Sequence, residues 1–338
     1  MDLETLMDIN EGYMPARILQ TAVILKVFDQ LASEARSAKG VAESLGIDCR
    51  STGLLLDALA SLKIVEKTND RYVNTPTAQR YLVSGSSTFY GALLAHTADG
   101  WDNWGKLEEV IRSGKPVRTH RAHQDDPKDT ERFIMAMHGL ATAGGYPAMV
   151  AEMLKWNHVK TMLDVGGGPG SFTIEFCRRN PHLTGTILDL AGTLEVTKKV
   201  LKTYPEVSDR IKLIAADFNE DAIPGSYDLI FISNVIHSES FKENAALMKK
   251  LFAATNKGGQ IVIKDHIMNE DNTEPEYGAL FSIHMLIHSG GQDYKFSEVE
   301  GWLEDAGFHS IEQSPLPRLT SASLVIGKKG AVKSFHEK

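Results

Sequence analysis

The stretch Thr161-Met-Leu-Asp-Val-Gly-Gly-Gly-Pro-Gly-Ser171 constrains this chain more than any other. Met162 to Val165 form an apolar run interrupted only by Asp164. Three glycines, a proline and a fourth glycine follow, and Ser171 opens a segment of helical pattern, Phe172 to Arg179. The order is strand, tight loop, helix N-terminus. Without Cβ atoms such a loop lets a ligand approach the backbone, and the helix behind it offers free N–H groups and a positive dipole end. The expected ligand is small and partly anionic.

Spacing narrows the choice. Gly166, Gly168 and Gly170 read G-x-G-x-G, with Ser171 where a dinucleotide fingerprint has its third glycine. The shorter loop suits a nucleoside without a pyrophosphate. S-adenosylmethionine is such a ligand, with a nucleoside at one end and an amino-acid carboxylate and ammonium at the other, and Asp164 is positioned to face that ammonium. Beyond the loop the pattern stays α/β. Thr184 to Leu190 reads as a second strand ending in Asp189, where nucleoside-binding folds hold ribose hydroxyls. Ile211 to Asp217 is a third strand, delivering Asp217 and Phe218 toward an adenine. Tyr227–Ser233, Gly259–Asp265 and Ser321–Gly327 read as further strands of one sheet.

A length of 338 residues predicts two domains. With 42% apolar residues and a net charge of −8, the chain is a globular protein without general affinity for nucleic acid or acidic membranes. Met1 to Glu11 has neither the basic flank nor the apolar run of a signal peptide, and no stretch approaches the ~20 apolar residues of a membrane span. The expected location is the cytoplasm. Cys49 and Cys177 fall in different predicted domains, so neither a disulfide nor a structural zinc is expected.

Residues 16 to 32 are apolar on too many sides for an exposed helix, which predicts burial against another subunit. A helix at Ala38 to Leu45, a turn at Gly46, a helix from Arg50 to Leu62 and a hairpin turning at Asn69-Asp70 follow in winged-helix order. The second helix carries only Arg50 as a base-reaching cation among Leu54, Leu55, Leu56, Leu59 and Leu62. A phosphate-tracking surface needs clustered Lys and Arg, so dimerisation is the favoured role over DNA binding. Phe89 to Met153 reads as helical, with an exposed connection from Arg112 to Asp129.

From about residue 15 to 328 the chain resembles the S-adenosylmethionine-dependent O-methyltransferases of the plant caffeate and bacterial natural-product type. The resemblance lies in Leu163-Asp-Val-Gly-Gly-Gly-Pro-Gly170, Asp189-Leu190, Asp217-Phe218, Ser233-Asn-Val-Ile-His237, Asp265, Met285-Leu286, Gly290-Gly291-Gln-Asp293 and Ala306-Gly-Phe308. It implies an α/β class I methyltransferase, a Rossmann-like seven-stranded doubly wound sheet with a mainly α winged-helix dimerisation domain before it. The expected parts are residues 1–97 for dimerisation, 98–155 for a helical linker and substrate pocket, 156–330 for the cofactor domain, and 331–338 for a tail. The implied reaction moves a methyl group to a hydroxyl of an aromatic or polyketide-like small molecule, leaving S-adenosylhomocysteine, in a homodimer that needs no metal.

Within that resemblance His237 is the general base, and Asp265 and Asp293 hold its ring where the family usually has glutamates. Imidazole is the side chain that ordinarily titrates near neutrality, which suits removal of a phenolic proton. Asp164, Gly166, Gly168, Gly170, Asp189, Leu190, Asp217, Phe218 and Ser233 are the expected cofactor contacts. Trp101, Met135, His138, Phe281, Met285 and His288 are the expected substrate contacts. The family's His-Asp-Trp pattern becomes His237-Ser238-Glu239 here, and Ser233 stands where plant members place a lysine. Methylation at nitrogen or carbon, a non-methylating hydroxylase or decarboxylase activity, and a DNA-binding regulator with S-adenosylmethionine as effector are the alternatives. His266, His284 and His288 lack the carboxylate partners of a metal cluster.

Overall fold

The computed structural model describes residues 1–118, 122–317 and 321–330. The predicted tail, 331–338, lies outside the described residues. The chain divides into two compact units, one of residues 1–101 with 135–144 and one of residues 102–134 with 145–338. The region 98–155, expected as one linker, is shared between them.

The first unit opens with the helix Leu3–Glu11, whose first turn is capped by the Asp2 carboxylate accepting from the Thr5 N–H at 2.9 Å. Residues 16 to 32 do not form one helix. Tyr13–Ile24 is helical, Lys26 turns left-handed at φ 58°, and Val27–Gln30 adds a single further turn. The break explains much of the apolar excess, because Ala22, Val27, Phe28 and Leu31 fold back into the unit's own core with Leu56, Leu59 and Tyr72. Helices Ala38–Leu45 and Cys49–Ser61 follow, capped by Ser37 and Asp48, with Gly46 left-handed between them. Strands Val65–Thr68 and Arg71–Asn74 pair across Asn69 and Asp70, both at positive φ, the backbone that a tight two-residue hairpin needs. The third strand of this sheet is Arg36–Ser37. Helix Gly91–Asp99 completes the run before Trp101.

The second unit is built on a sheet whose strands are numbered here β1 (Thr161–Val165), β2 (Thr184–Asp189), β3 (Ile211–Ala215), β4 (Tyr227–Ser233), β5 (Thr255–Met268), β6 (His309–Pro315) and β7 (Ala322–Lys328). Their spatial order is β6-β7-β5-β4-β1-β2-β3, parallel throughout except where β7 lies antiparallel to both β5 and β6. The two-residue strand Tyr294–Lys295 adds a short pairing to the end of β5. Chain order reverses between β1 and β4, and in doubly wound sheets ligands bind in the crevice that this reversal opens at the carboxyl ends.

Both faces of the sheet are covered, so its strands are nearly continuous apolar runs. Met162, Leu229, Phe231 and Val262 pack on one face with helices Tyr146–Met153, Ser171–Arg179 and Ala191–Leu201. Leu163, Val165, Ile230, Ile232, Ile261 and Ile263 pack on the other with Phe241–Ala254 and Phe296–Ala306. Fully burying each such aliphatic side chain contributes about 1.5–3 kcal/mol. The rigid platform that results fixes what projects from its carboxyl edge. No helix among the described residues is long and apolar enough to cross a membrane.

Candidate active site

Gly166, Gly168 and Gly170 all adopt left-handed backbone, at φ 63°, 54° and 77°. The loop is close-packed on its inner side. A Cβ on Gly167 would lie 2.8 Å from the Asp164 carboxyl carbon, and one on Gly166 would meet Val235 at 2.9 Å and Phe218 at 3.5 Å. At Gly168 a Cβ would meet nothing within 4 Å, so the loop is open there. Helix Ser171–Arg179 begins directly behind it.

Two carboxylates hold the loop. Asp164, 2% exposed beneath the glycines, accepts from the Thr173 hydroxyl at 2.6 Å. Burial pushes its carboxyl up to about 7, with Thr173 opposing and the Asp189 charge adding to the rise. Asp189, at the end of β2, accepts from the Gly168 N–H at 2.8 Å and from the Leu190 N–H at 2.7 Å. Burial raises its pKa against those two backbone donors. Asp217 accepts from the Asn219 N–H at 3.0 Å, and Phe218 leans toward Gly166. The Ser233 hydroxyl, at the end of β4, is buried without a hydrogen-bond partner.

One strand further across the sheet stands a second cluster. Asn234, left-handed at φ 57°, ends β4, and the turn Ile236–Ser238 carries His237. His237 Nδ1 lies 2.7 Å from Asp265 Oδ1 on β5, and the same oxygen accepts the His266 N–H at 2.9 Å. Burial pushes the Asp265 carboxyl up, but His237, with His266 and Lys264 adding to it, more than offsets this, and the group stays below the usual carboxylate range. Asp293 faces the pair, with atoms of all three residues within 4.8 Å of one another. Its two oxygens have no hydrogen-bond partner, and burial, reinforced by the Asp265 charge, pushes it up to about 9. Asp265 therefore carries the negative charge at neutral pH and Asp293 the proton.

Glycine makes this approach possible. A Cβ on Gly291 would run into the His237 carbonyl, and one on Gly278 would lie 2.5 Å from Met268 Sδ and 3.4 Å from Asp293 Oδ2. Helix Glu276–His288 therefore comes close to β5 and lays an aromatic stripe beside the cluster. Phe281 stands edge-on to His237 with centroids 5.1 Å apart, is 5.1 Å from His266, and stacks with Tyr277 and His284. Met285 is buried, and His288 Nδ1 bonds back to the His284 carbonyl at 2.9 Å. His266 pairs with the Ser321 hydroxyl at 2.5 Å, and burial lowers it to about 4.

Of the expected substrate contacts, Phe281, Met285 and His288 share the second unit with His237. Trp101, Met135 and His138 fall in the first unit. There Trp101 lies 6.4 Å from the Tyr13 ring and under the Arg17 guanidinium, Met135 is 37% exposed, and burial lowers His138. Sequence reasoning missed Asn234, Lys264 and Tyr146, which meet beside the carboxyl end of β4. The Lys264 ammonium donates to Asn234 Oδ1 at 2.7 Å and lies 5.7 Å from the Tyr146 ring. A lysine flanked by Ile263 and Asp265 was the available signal.

Residues 104–309 match the O-methyltransferase domain, and residues 7–84 match the O-methyltransferase dimerisation domain. The chain belongs to the O-methyltransferase family. Among similar proteins, the 3-hydroxy-5-methyl-1-naphthoate 3-O-methyltransferase of Streptomyces sahachiroi is 30% identical, over 90% of this chain and 89% of its own. The tetracenomycin polyketide synthesis 8-O-methyl transferase TcmO of Streptomyces glaucescens is 28% identical over 96% of each. Human N-acetylserotonin methyltransferase, solved in complex with SAM, superposes with a TM-score of 0.89 at 23% identity, covering 98% of this chain and 99% of that one. The methyl donor of this O-methyltransferase is S-adenosylmethionine. The residues present fit it: a glycine loop open at Gly168, a carboxylate at the end of β2, and an orphaned hydroxyl at Ser233.

Proposed function

We propose that this O-methyltransferase acts on a hydroxyl of an aromatic or polyketide-like small molecule, and that His237 takes the hydroxyl proton. The observation that carries the reading is the buried His237–Asp265 contact of 2.7 Å, made through Nδ1. It fixes the ring and leaves Nε2 with no hydrogen bond to any described residue. The chemistry of bound S-adenosylmethionine is an activated methyl on a cationic sulfur. His237 Nε2 accepts the proton as the hydroxyl oxygen becomes a nucleophile, and Asp265 stabilises the imidazolium that forms. Neutral Asp293 limits the local negative charge to one carboxylate and keeps an O–H donor beside the ring. Phe281, Met285 and His288 offer an acceptor a flat, apolar wall with few polar points. Base catalysis of this kind contributes about 10²–10⁴ in rate, with orientation in a dry site supplying much of the rest.

For the donor, Asp189 and Leu190 are assigned to the ribose, Asp217 and Phe218 to adenine, and Asp164 with Gly166, Gly168 and Gly170 to the methionine end. The likeness to two bacterial O-methyltransferases named for aromatic and polyketide substrates supports the acceptor class. The match to a dimerisation domain supports a homodimer. Incubation with isotopically labelled S-adenosylmethionine and a panel of phenols, heteroaromatic alcohols and amines, read by product mass, tests the function. Label appearing only on amines or carbon would replace hydroxyl methylation by the corresponding reaction.

A further inference from the structure

Lys264 is the one lysine or arginine among the described residues that is fully buried, at 4% exposure, and the reading above gives it no task. Its position follows from strand register. Met162, Leu229 and Gln260 stand level across β1, β4 and β5, and two residues on Asp164, Phe231 and Val262 do the same. The next level pairs Ser233 with Lys264, one step past the Val165–Ile232 pair and so level with Gly166. Partners level across a sheet project on one face. The Lys264 stem and the Ser233 hydroxyl therefore lie on the face that carries Asp164, beside the mouth of the glycine loop.

The ammonium is poorly matched by the protein itself. Its hydrogen bond is to a neutral amide, Asn234 Oδ1 at 2.7 Å, and the Tyr146 ring supplies an aromatic face at 5.7 Å. Asp265, its chain neighbour, projects on the opposite face with Oδ1 committed to His237 and the His266 N–H, so its charge favours the cation without hydrogen-bonding it. Asp164 is two strands away and bonded to Thr173. The adjacent Ser233 Oγ is buried with no partner. Asn234 is held in left-handed backbone, its N–H donating to the Lys264 carbonyl at 2.9 Å while its side-chain oxygen accepts from the ammonium. Burial lowers the Lys264 pKa to about 8, which still leaves mostly cation at neutral pH. An ammonium with donors to spare next to an unmatched hydroxyl costs free energy in the free chain and is compensated by an anion arriving from outside.

We propose that Lys264, with Ser233 beside it, receives the carboxylate of the donor's methionine end and is a cofactor-binding residue of this chain. The inference rests on the donor lying along the Gly166–Gly170 loop. That placement puts its amino-acid end at the level of Gly166, and its carboxylate is the one anionic group that end carries.

Calorimetric titration separates this role from a structural one. The probes are S-adenosylhomocysteine and its decarboxylated analogue, S-adenosyl-3-thiopropylamine, which keeps the nucleoside, thioether and amine. Lys264→Met should weaken S-adenosylhomocysteine binding by about 10- to 100-fold, the range for hydrogen bonds to a charged group, and leave the analogue within about threefold. Lys264→Gln, which keeps a hydrogen-bond donor without the charge, should show the same ordering, and Lys264→Arg should recover part of the loss. The ligand-free Lys264→Met protein should melt near the wild-type temperature, the hydrogen bond lost at Asn234 Oδ1 being offset by an apolar side chain in place of a buried cation. Equal weakening of both ligands, or unchanged affinity for S-adenosylhomocysteine, would overturn the assignment. A wild-type chain that bound neither would overturn the placement of the donor and this assignment with it.

Discussion

His237 and Asp265 share one short contact, whereas Asp293 faces them without a bond, and the three residues should separate in kinetics accordingly. His237→Ala or His237→Gln should leave S-adenosylhomocysteine affinity nearly intact and lower kcat by about 10²–10⁴. The defect should shrink for acceptors that ionise unaided at assay pH, such as a nitro-substituted phenol. Wild-type kcat on a weakly acidic phenol in the alanine variant would remove His237 as the base. Asp265→Asn should cost more than Asp293→Asn, since only Asp265 orients the ring. The proton on Asp293 has its own consequence for stability. The folded chain holds that proton up to about pH 9, against an ordinary value of 3.8. Between these values the folded state binds more protons than the unfolded one, so this group's contribution falls as pH rises, by at most about 1.4 kcal/mol per pH unit. Asp293→Asn removes the dependence. Urea midpoints of the two proteins should draw together toward pH 5 and separate in the variant's favour toward pH 9, and a gap that did not widen would mean Asp293 ionises normally.

Elements set these residues at their distances, and glycine decides the closest approach. Gly291→Ala would force its methyl against the His237 carbonyl, so either the segment bearing Asp293 or the turn bearing His237 must move. The expected result is a loss of about 1–3 kcal/mol in stability together with a fall in kcat. An equally stable and active variant would show that the segment relaxes without strain. Much of this level is legible in the sequence. The limits of Tyr227–Ser233 and Ala38–Leu45 follow from apolar pattern and caps, and the Asn69-Asp70 turn from its residue types. Residues 16 to 32 mislead about the helix alone: it breaks left-handed at Lys26, which no periodicity announces, and Ala22, Val27, Phe28 and Leu31 fill the unit's own core while Ile24 stays exposed. Strand β6 goes unmarked because His309–Pro315 is mostly exposed and polar, without the alternation that reveals a half-buried strand. The motif supplied the carboxyl groups at Asp265 and Asp293, but which of them holds a proton depends on burial and on their mutual distance. Lys264 was hidden for the same reason, since its importance lies in what fails to surround it.

At the scale of the whole molecule, exposed apolar residues gather in the matched dimerisation domain and just before it, at Leu3, Leu6, Met7, Ile9, Tyr13, Met14, Ile24, Leu54 and Leu62. A homodimer burying these faces should cover an obligate-sized area, on the order of 2,000 Å² or more. Light scattering at micromolar concentration should give twice the 37.2 kDa chain mass, and a monomer would sink that assembly. The sheet of the second unit has a different global property, set by β7. This strand slots between β5 and β6 and brings Ala322, Ser323 and Leu324 opposite His266, Asp265 and Lys264. A ribosome releases β5 long before β7, so during synthesis the strand bearing half the polar machinery emerges with one edge bare, open to pairing with a neighbouring nascent chain. A reading frame stopped at residue 321 would encode His237, Asp265 and Asp293 and still lack the strand that pairs with β5 along Asp265, so the last 17 codons bear on the site although none of them encodes a residue of that cluster.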